Sequence, residues 1–115
     1  MTLRLDEKVT YVASYHGFES QSRQCMEENA ELSKAVNKLW RATKTGDGKK
    51  IAKAEKHVVE EMADVLNMIA QIQELLGISN ERLVKVAEMK LDREIERIRK
   101  EGGIKVGSWI NKKEW

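Results

Sequence analysis

The chain has 115 residues, 35% of them charged and none of them proline, with a formal net charge of +2. That size fits one domain whose core oligomerisation would enlarge, and so small a net charge excludes nucleic-acid or membrane binding by bulk electrostatics. No apolar run nears the roughly 18 residues of a membrane span, no charged-then-apolar leader opens the chain, and the one cysteine, Cys25, has no internal disulfide partner, so a cytoplasmic protein is expected.

Leu5, Val9, Val12, Ala13 and His16 recur at helical spacing, which predicts a first helix over residues 4–16 ending at Gly17. A second helix is predicted from about Ser20 to Ala42 with Cys25, Leu32, Ala35, Val36 and Leu39 on its apolar stripe. The run Thr43-Lys44-Thr45-Gly46-Asp47-Gly48 breaks it. A third helix follows over residues 50–76, with Val58, Met62, Val65, Ile69, Ile72 and Leu76 on one side and Gly77 as a left-handed cap. Ser79 or Asn80 caps a fourth, carrying Leu83, Val86, Ala87, Lys90, Leu91, Glu94 and Ile98 and stopped by Gly102-Gly103. Abundant Glu, Lys, Arg, Leu and Ala without proline or alternating β-branched runs predicts an all-α fold. Four helices with short connections predict a four-helix bundle over residues 1–103, completed by oligomerisation, with residues 104–115 as a C-terminal tail that docks on the bundle or on a partner subunit, low order being the main alternative.

Two segments repeat one pattern. Glu27-Glu28-Asn29-Ala30-Glu31-Leu32 and Glu60-Glu61-Met62-Ala63-Asp64-Val65 both read Glu-Glu-x-Ala-acid-apolar. At about 100° per residue, Glu28 falls roughly 40° from Leu32 and Glu31 roughly 100°; Glu61 and Asp64 have the same offsets from Val65. Glu27 and Glu60 lie about 140° away, on the far sides, as solvated groups or neighbours of the site. A lone Glu-x-x-Glu on a helix is usually solvated decoration, but two copies on apolar flanks place Glu28, Glu31, Glu61 and Asp64 where a core belongs. Buried anions need a counter-charge, and oxygen-only ligands select a hard cation: magnesium, with manganese as a substitute. A di-iron centre would need Glu-x-x-His on two helices, and neither His16 nor His57 stands three residues after an inward glutamate.

On these residues the chain resembles the MazG-like branch of the all-α nucleoside triphosphate pyrophosphohydrolases. Glu27-Glu28-x-x-Glu31 and Glu61-x-x-Asp64 match the family's Glu-Glu-x-x-Glu and Glu-x-x-Asp in type and order, and the likeness spans roughly residues 20–100. The resemblance implies a magnesium-dependent enzyme that cleaves a nucleoside triphosphate between its α and β phosphates, giving the monophosphate and pyrophosphate. It implies that Glu28, Glu31, Glu61 and Asp64 bind the metal and activate water, one carboxylate of the cluster or its neighbours Glu27 and Glu60 taking the proton. Ala87-x-x-Lys90-Leu91-x-Arg93 is similar to the family's phosphate-binding segment, so Lys90 and Arg93 are implied phosphate ligands, with Lys38 as a weaker third. Leu91 stands where the family has an aromatic residue and Glu88 where many members have asparagine. Relatives form dimers or tetramers, so a homo-oligomer is implied.

Tyr11, Tyr15, Phe18, Trp40 and Trp109 are available for base stacking, but aromatics at helical spacing more often serve a core, and His57, one turn before Glu61, faces the same choice between substrate and surface. The alternative function is a non-catalytic helical interaction module or subunit of a complex. Nucleic-acid binding by residues 49–56 and 93–100 ranks last, because Glu55, Glu94 and Glu96 interrupt their basic runs.

Overall fold

A computed structural model describes residues 3–103. Three helical elements account for it: α1 (Leu5–Thr43), α2 (Gly48–Leu76) and α3 (Asn80–Lys100), with no strand among the described residues. The all-α expectation is met. The expected tail at 104–115, with Trp109, lies outside the described residues. The chain divides into two compact units, Met1–Ile78 and Ser79–Trp115.

In the first unit, α1 takes in both of the first two expected helices. Gly17 interrupts it with φ 82 and ψ 168, a backbone state open to glycine because it has no Cβ. The break is where the sequence puts it, two helices meeting in a kink at Gly17, but Phe18 starts the second at once, so the expected gap before Ser20 is absent. Asp6 and Glu7 sit in the first turn, where carboxylates favour the helix dipole, and Glu7 Oε1 accepts from the Arg4 backbone N–H at 2.9 Å.

Asp47 starts α2 by accepting from the N–H groups of Lys49 (3.0 Å) and Lys50 (3.3 Å), satisfying donors that a helix N-terminus leaves open. Gly77 ends it in the left-handed region (φ 67, ψ 32), its N–H returning to the Gln73 carbonyl. The short connection makes α1 and α2 antiparallel neighbours. Gln21 meets Gln71 and Glu28 meets Glu61, so rising numbers on one helix match falling numbers on the other.

Burial follows alternating steps of three and four, the pattern that keeps one seam facing a partner helix. On α1 the inward positions are Gln21, Cys25, Glu28, Leu32, Ala35, Leu39 and Ala42; on α2 they are Ile51, Ala54, Val58, Glu61, Val65, Met68, Ile72 and Leu75. The single apolar side expected for α2 is in fact two. Met62, Ile69 and Leu76, expected beside Val58 and Val65, instead join Val59 and Leu66 on a second stripe, each between 40% and 66% exposed. The two stripes are offset by one residue, about 100° around the helix, and a hairpin of two helices covers only one of them. Val36 on α1 is likewise exposed rather than in the seam.

In the second unit, Ser79 Oγ caps α3 by accepting from the Arg82 N–H at 3.1 Å, and Gly102, at φ 76, follows its end. Val84, Leu91, Ile95 and Ile98 share a face of α3, of which Ile95 alone is even half-buried. No described helix is long and apolar enough to cross a membrane.

Candidate functional site

The α1–α2 seam brings Glu28, Glu61 and Asp64 together. One carboxylate oxygen from each lies within 4.8 Å of the other two. Glu28 and Glu61 occupy seam positions that would otherwise hold leucine or valine, and Asp64 stands one turn beyond Glu61 on the adjoining flank. Burial is graded: the Glu61 side chain is 13% exposed, Glu28 is half-buried and Asp64 is exposed.

The contacts of the three acids are sparse. Gln24 Nε2 donates to Glu28 Oε1 at 2.8 Å, and His57 Nε2 lies 3.7 Å from Glu61 Oε1. Among the described residues, no lysine or arginine forms an ion pair with any of the three. Carboxylates 4.8 Å apart repel by about 1 kcal/mol per pair in water and about 3 kcal/mol at an effective dielectric near 20, so a cation would relieve a standing cost.

The three carboxylates could hold a small divalent cation. Ligands at about 2.0–2.1 Å in an octahedron stand about 3 Å apart when adjacent and about 4 Å apart when opposite, so separations of up to 4.8 Å close by small side-chain rotations. Three carboxylates fill half of such a shell and leave positions for water and phosphate oxygens.

Glu31, the fourth acid expected at the ion, is not among the three. Its side chain is 50% exposed and its Oε1 lies 3.5 Å from Lys34 Nζ. Glu31 and Asp64 have the same offset of roughly 100° from their stripes and both are exposed, but the carboxylate of Asp64 reaches the cluster. Glu27 and Glu60 are exposed.

Beside the acids, Glu31, Lys34, Ala35, Asn37, Lys38, Arg41 and His57 line an open cleft of about 290 Å³. Lys38 was singled out from sequence. Lys34, Asn37 and Arg41 were not, although Glu31, Lys34, Lys38 and Arg41 stand at steps of three, four and three along one flank of α1. That row was the available signal. His57 both lines the cleft and approaches Glu61, which joins cleft and acids into one region.

A register relation ties these parts together. Gln21 pairs with Gln71, Glu28 with Asp64 one heptad along, and Ala35 and His57 line the cleft one heptad further. Each step of seven up α1 is matched by a step of seven down α2, so amide pair, acid cluster and cleft are successive levels of the same seam.

Lys90 and Arg93 lie on α3 and are exposed, as are Glu88 and Leu91. Tyr11, Tyr15 and Phe18 are exposed; Trp40 is 59% exposed, with Lys44 Nζ 5.4 Å from its ring centre. Comparison with protein-family models, curated proteins and solved structures finds no match to this chain.

Proposed function

We propose that this chain is a magnesium-dependent nucleoside triphosphate pyrophosphohydrolase of the MazG-like kind, hydrolysing a nucleoside triphosphate to the monophosphate and pyrophosphate. The observation that carries the proposal is the convergence of Glu28, Glu61 and Asp64 from two helices, with a cation-lined cleft alongside. Oxygen-only donors of this kind suit magnesium, with manganese as a substitute. When bound, the metal supplies positive charge to the phosphate oxygens and makes water a better nucleophile at neutral pH.

The chain's own residues supply the rest. Glu28, Glu61 and Asp64 would hold and orient the ion, with Glu31 in the cleft alongside. Lys34, Lys38 and Arg41 put three positive charges along the cleft for the β and γ phosphates. Water attacks the α phosphorus, the bond from that phosphorus to the oxygen bridging to the β phosphate breaks, and the electron pair leaves on pyrophosphate. Neutralising that developing charge is the work of the cationic row. The water's proton would go to a carboxylate of the cluster or to one of its chain neighbours, Glu27 or Glu60. Lys90 and Arg93 are the further phosphate ligands that the family resemblance assigns.

The exposed stripe Val59, Met62, Leu66, Ile69 and Leu76 supports a homo-oligomer, dimer or tetramer, in which a second copy covers it. The single cysteine and a nucleotide substrate go with a cytoplasmic location. The same stripe favours the second reading, a helical interaction module without catalysis. A pyrophosphate-release screen over common and modified nucleoside triphosphates with magnesium separates the two: release from at least one substrate supports the enzyme, and none across the panel favours the module.

A further inference from the structure

Two glutamines are among the few buried residues described in the first unit. Gln21 and Gln71 are 5% and 7% exposed, and Gln21 Nε2 donates to Gln71 Oε1 at 2.6 Å. Their remaining atoms are partnered nearby: Ser20 Oγ donates to Gln21 Oε1 at 3.2 Å, and Gln71 Nε2 lies 3.9 Å from Met68 Sδ. Polar groups so deep in a seam need a reason, since apolar residues of the same shape stabilise a helix pair at least as well.

That reason lies in the two apolar stripes of α2. Over the same length each carries one charge, Glu61 in the buried stripe, which Gln71 flanks, and Glu55 in the other, which continues through Val59, Met62, Leu66, Ile69 and Leu76 with Gln73 half-buried between the last two. Two stripes so alike leave apolar burial a weak selector between the packing observed and one in which α2 turns by about 100° to bury the second stripe against α1. That turn would take Gln71 out of the seam and leave the buried Gln21 amide without its partner, a loss that apolar contacts do not replace.

We propose that the Gln21–Gln71 pair positions the carboxylate site by selecting which face of α2 meets α1, and so turns Glu61 and Asp64 toward Glu28. Gln21 precedes Glu28 by one heptad and Gln71 follows Asp64 by one heptad, so each glutamine shares a flank with the acid it sets. Two short amides meet in one rotational phase of the helix, whereas leucines pack in several. The pair therefore contributes specificity rather than stability, as a single buried polar residue does in coiled coils. The face-selection step stands on the packing alone; its consequence for metal binding rests on the metal reading given above.

The test uses the full chain with Cys25→Ala and a reporter thiol, Met68→Cys, at a position that is 5% exposed. Thiol labelling is followed with the glutamine pair intact and with Gln21→Leu/Gln71→Leu, and melting is measured with and without magnesium in the same pairings without the reporter. With both leucines the melting temperature without metal should hold or rise, Met68→Cys should label about tenfold faster as the other face competes for the seam, and the magnesium-induced rise in melting temperature should shrink or vanish. Unchanged protection of Met68→Cys in the double-leucine protein would overturn the proposal. So would a much lower melting temperature, because the pair would then hold the fold rather than choose a face. A native pair that shows no magnesium response would sink the metal reading alone, and the labelling result would still decide face selection.

Discussion

Glu28 and Glu61 face one another across the α1–α2 seam with carboxylate oxygens within 4.8 Å, at positions whose neighbours along each stripe are Leu32, Val58 and Val65. Two like charges at core positions lower the stability of the hairpin unless a cation sits between them. Millimolar magnesium should therefore raise the melting temperature, and a chelator should reverse the rise. At a concentration one hundred times the dissociation constant the stabilisation is about 2.7 kcal/mol. Equal ionic strength of sodium chloride is the control, and an identical response to it would assign the effect to screening.

Glu61→Gln separates catalysis from folding. The substitution keeps the shape and removes one of three clustered anions, so helicity by circular dichroism should be retained and stability without metal should hold or rise. Pyrophosphate release should fall by about a hundredfold or more, the size of loss seen when a preorganised charge is removed from an active site. Full activity would remove Glu61 from the site.

Glu31→Gln is the sharper comparison, because the sequence gives it the same standing as Glu61 and the structure does not. With its side chain 50% exposed and its carboxylate beside Lys34, its loss should weaken magnesium affinity by only a few-fold, against a hundredfold for Glu61→Gln. Isothermal titration with manganese measures both. Equal losses would return Glu31 to the ion.

Three helix ends were legible because their chemistry is local: Ser79 as an N-cap, Gly77 as a left-handed cap and Gly17 as a break are each visible in a few residues, whereas Asp47, inside the expected loop, starts α2 two residues before the expected position 50. The inward aim of Glu28 and Glu61 was legible too, since both lie within about 40° of a stripe residue. What the sequence hid depends on how wide an arc each helix covers. Val58 and Met62 are both apolar and nearly in line, yet one is in the seam and the other is 55% exposed. Gln21 and Gln71 were invisible for a related reason: glutamine on a helix is ordinarily a surface residue, and nothing local marks the two that pair.

The cationic row makes a separable prediction. Lys38→Ala with Arg41→Ala should lower kcat/KM for a nucleoside triphosphate by about tenfold to a hundredfold, with little effect on manganese affinity and a weaker dependence on salt, because the two cations face the cleft rather than the acids. Steady-state kinetics at two ionic strengths checks it. A matching loss of manganese affinity would mean that cleft and acids are not independent parts.

The exposed stripe of α2 predicts assembly. Leu66 is 66% exposed at its centre, and Leu66→Glu should shift the chain toward the monomer in sedimentation velocity while leaving its helicity in place. A monomeric wild-type chain would leave the stripe for a different partner.

The most direct measurement is anomalous diffraction at the manganese edge from crystals grown with manganese. The expected result is a peak between the carboxylates of Glu28, Glu61 and Asp64 that disappears in Glu61→Gln. A map with no peak among those three carboxylates, at manganese concentrations that support pyrophosphate release, would contradict the metal site and the chemistry built on it.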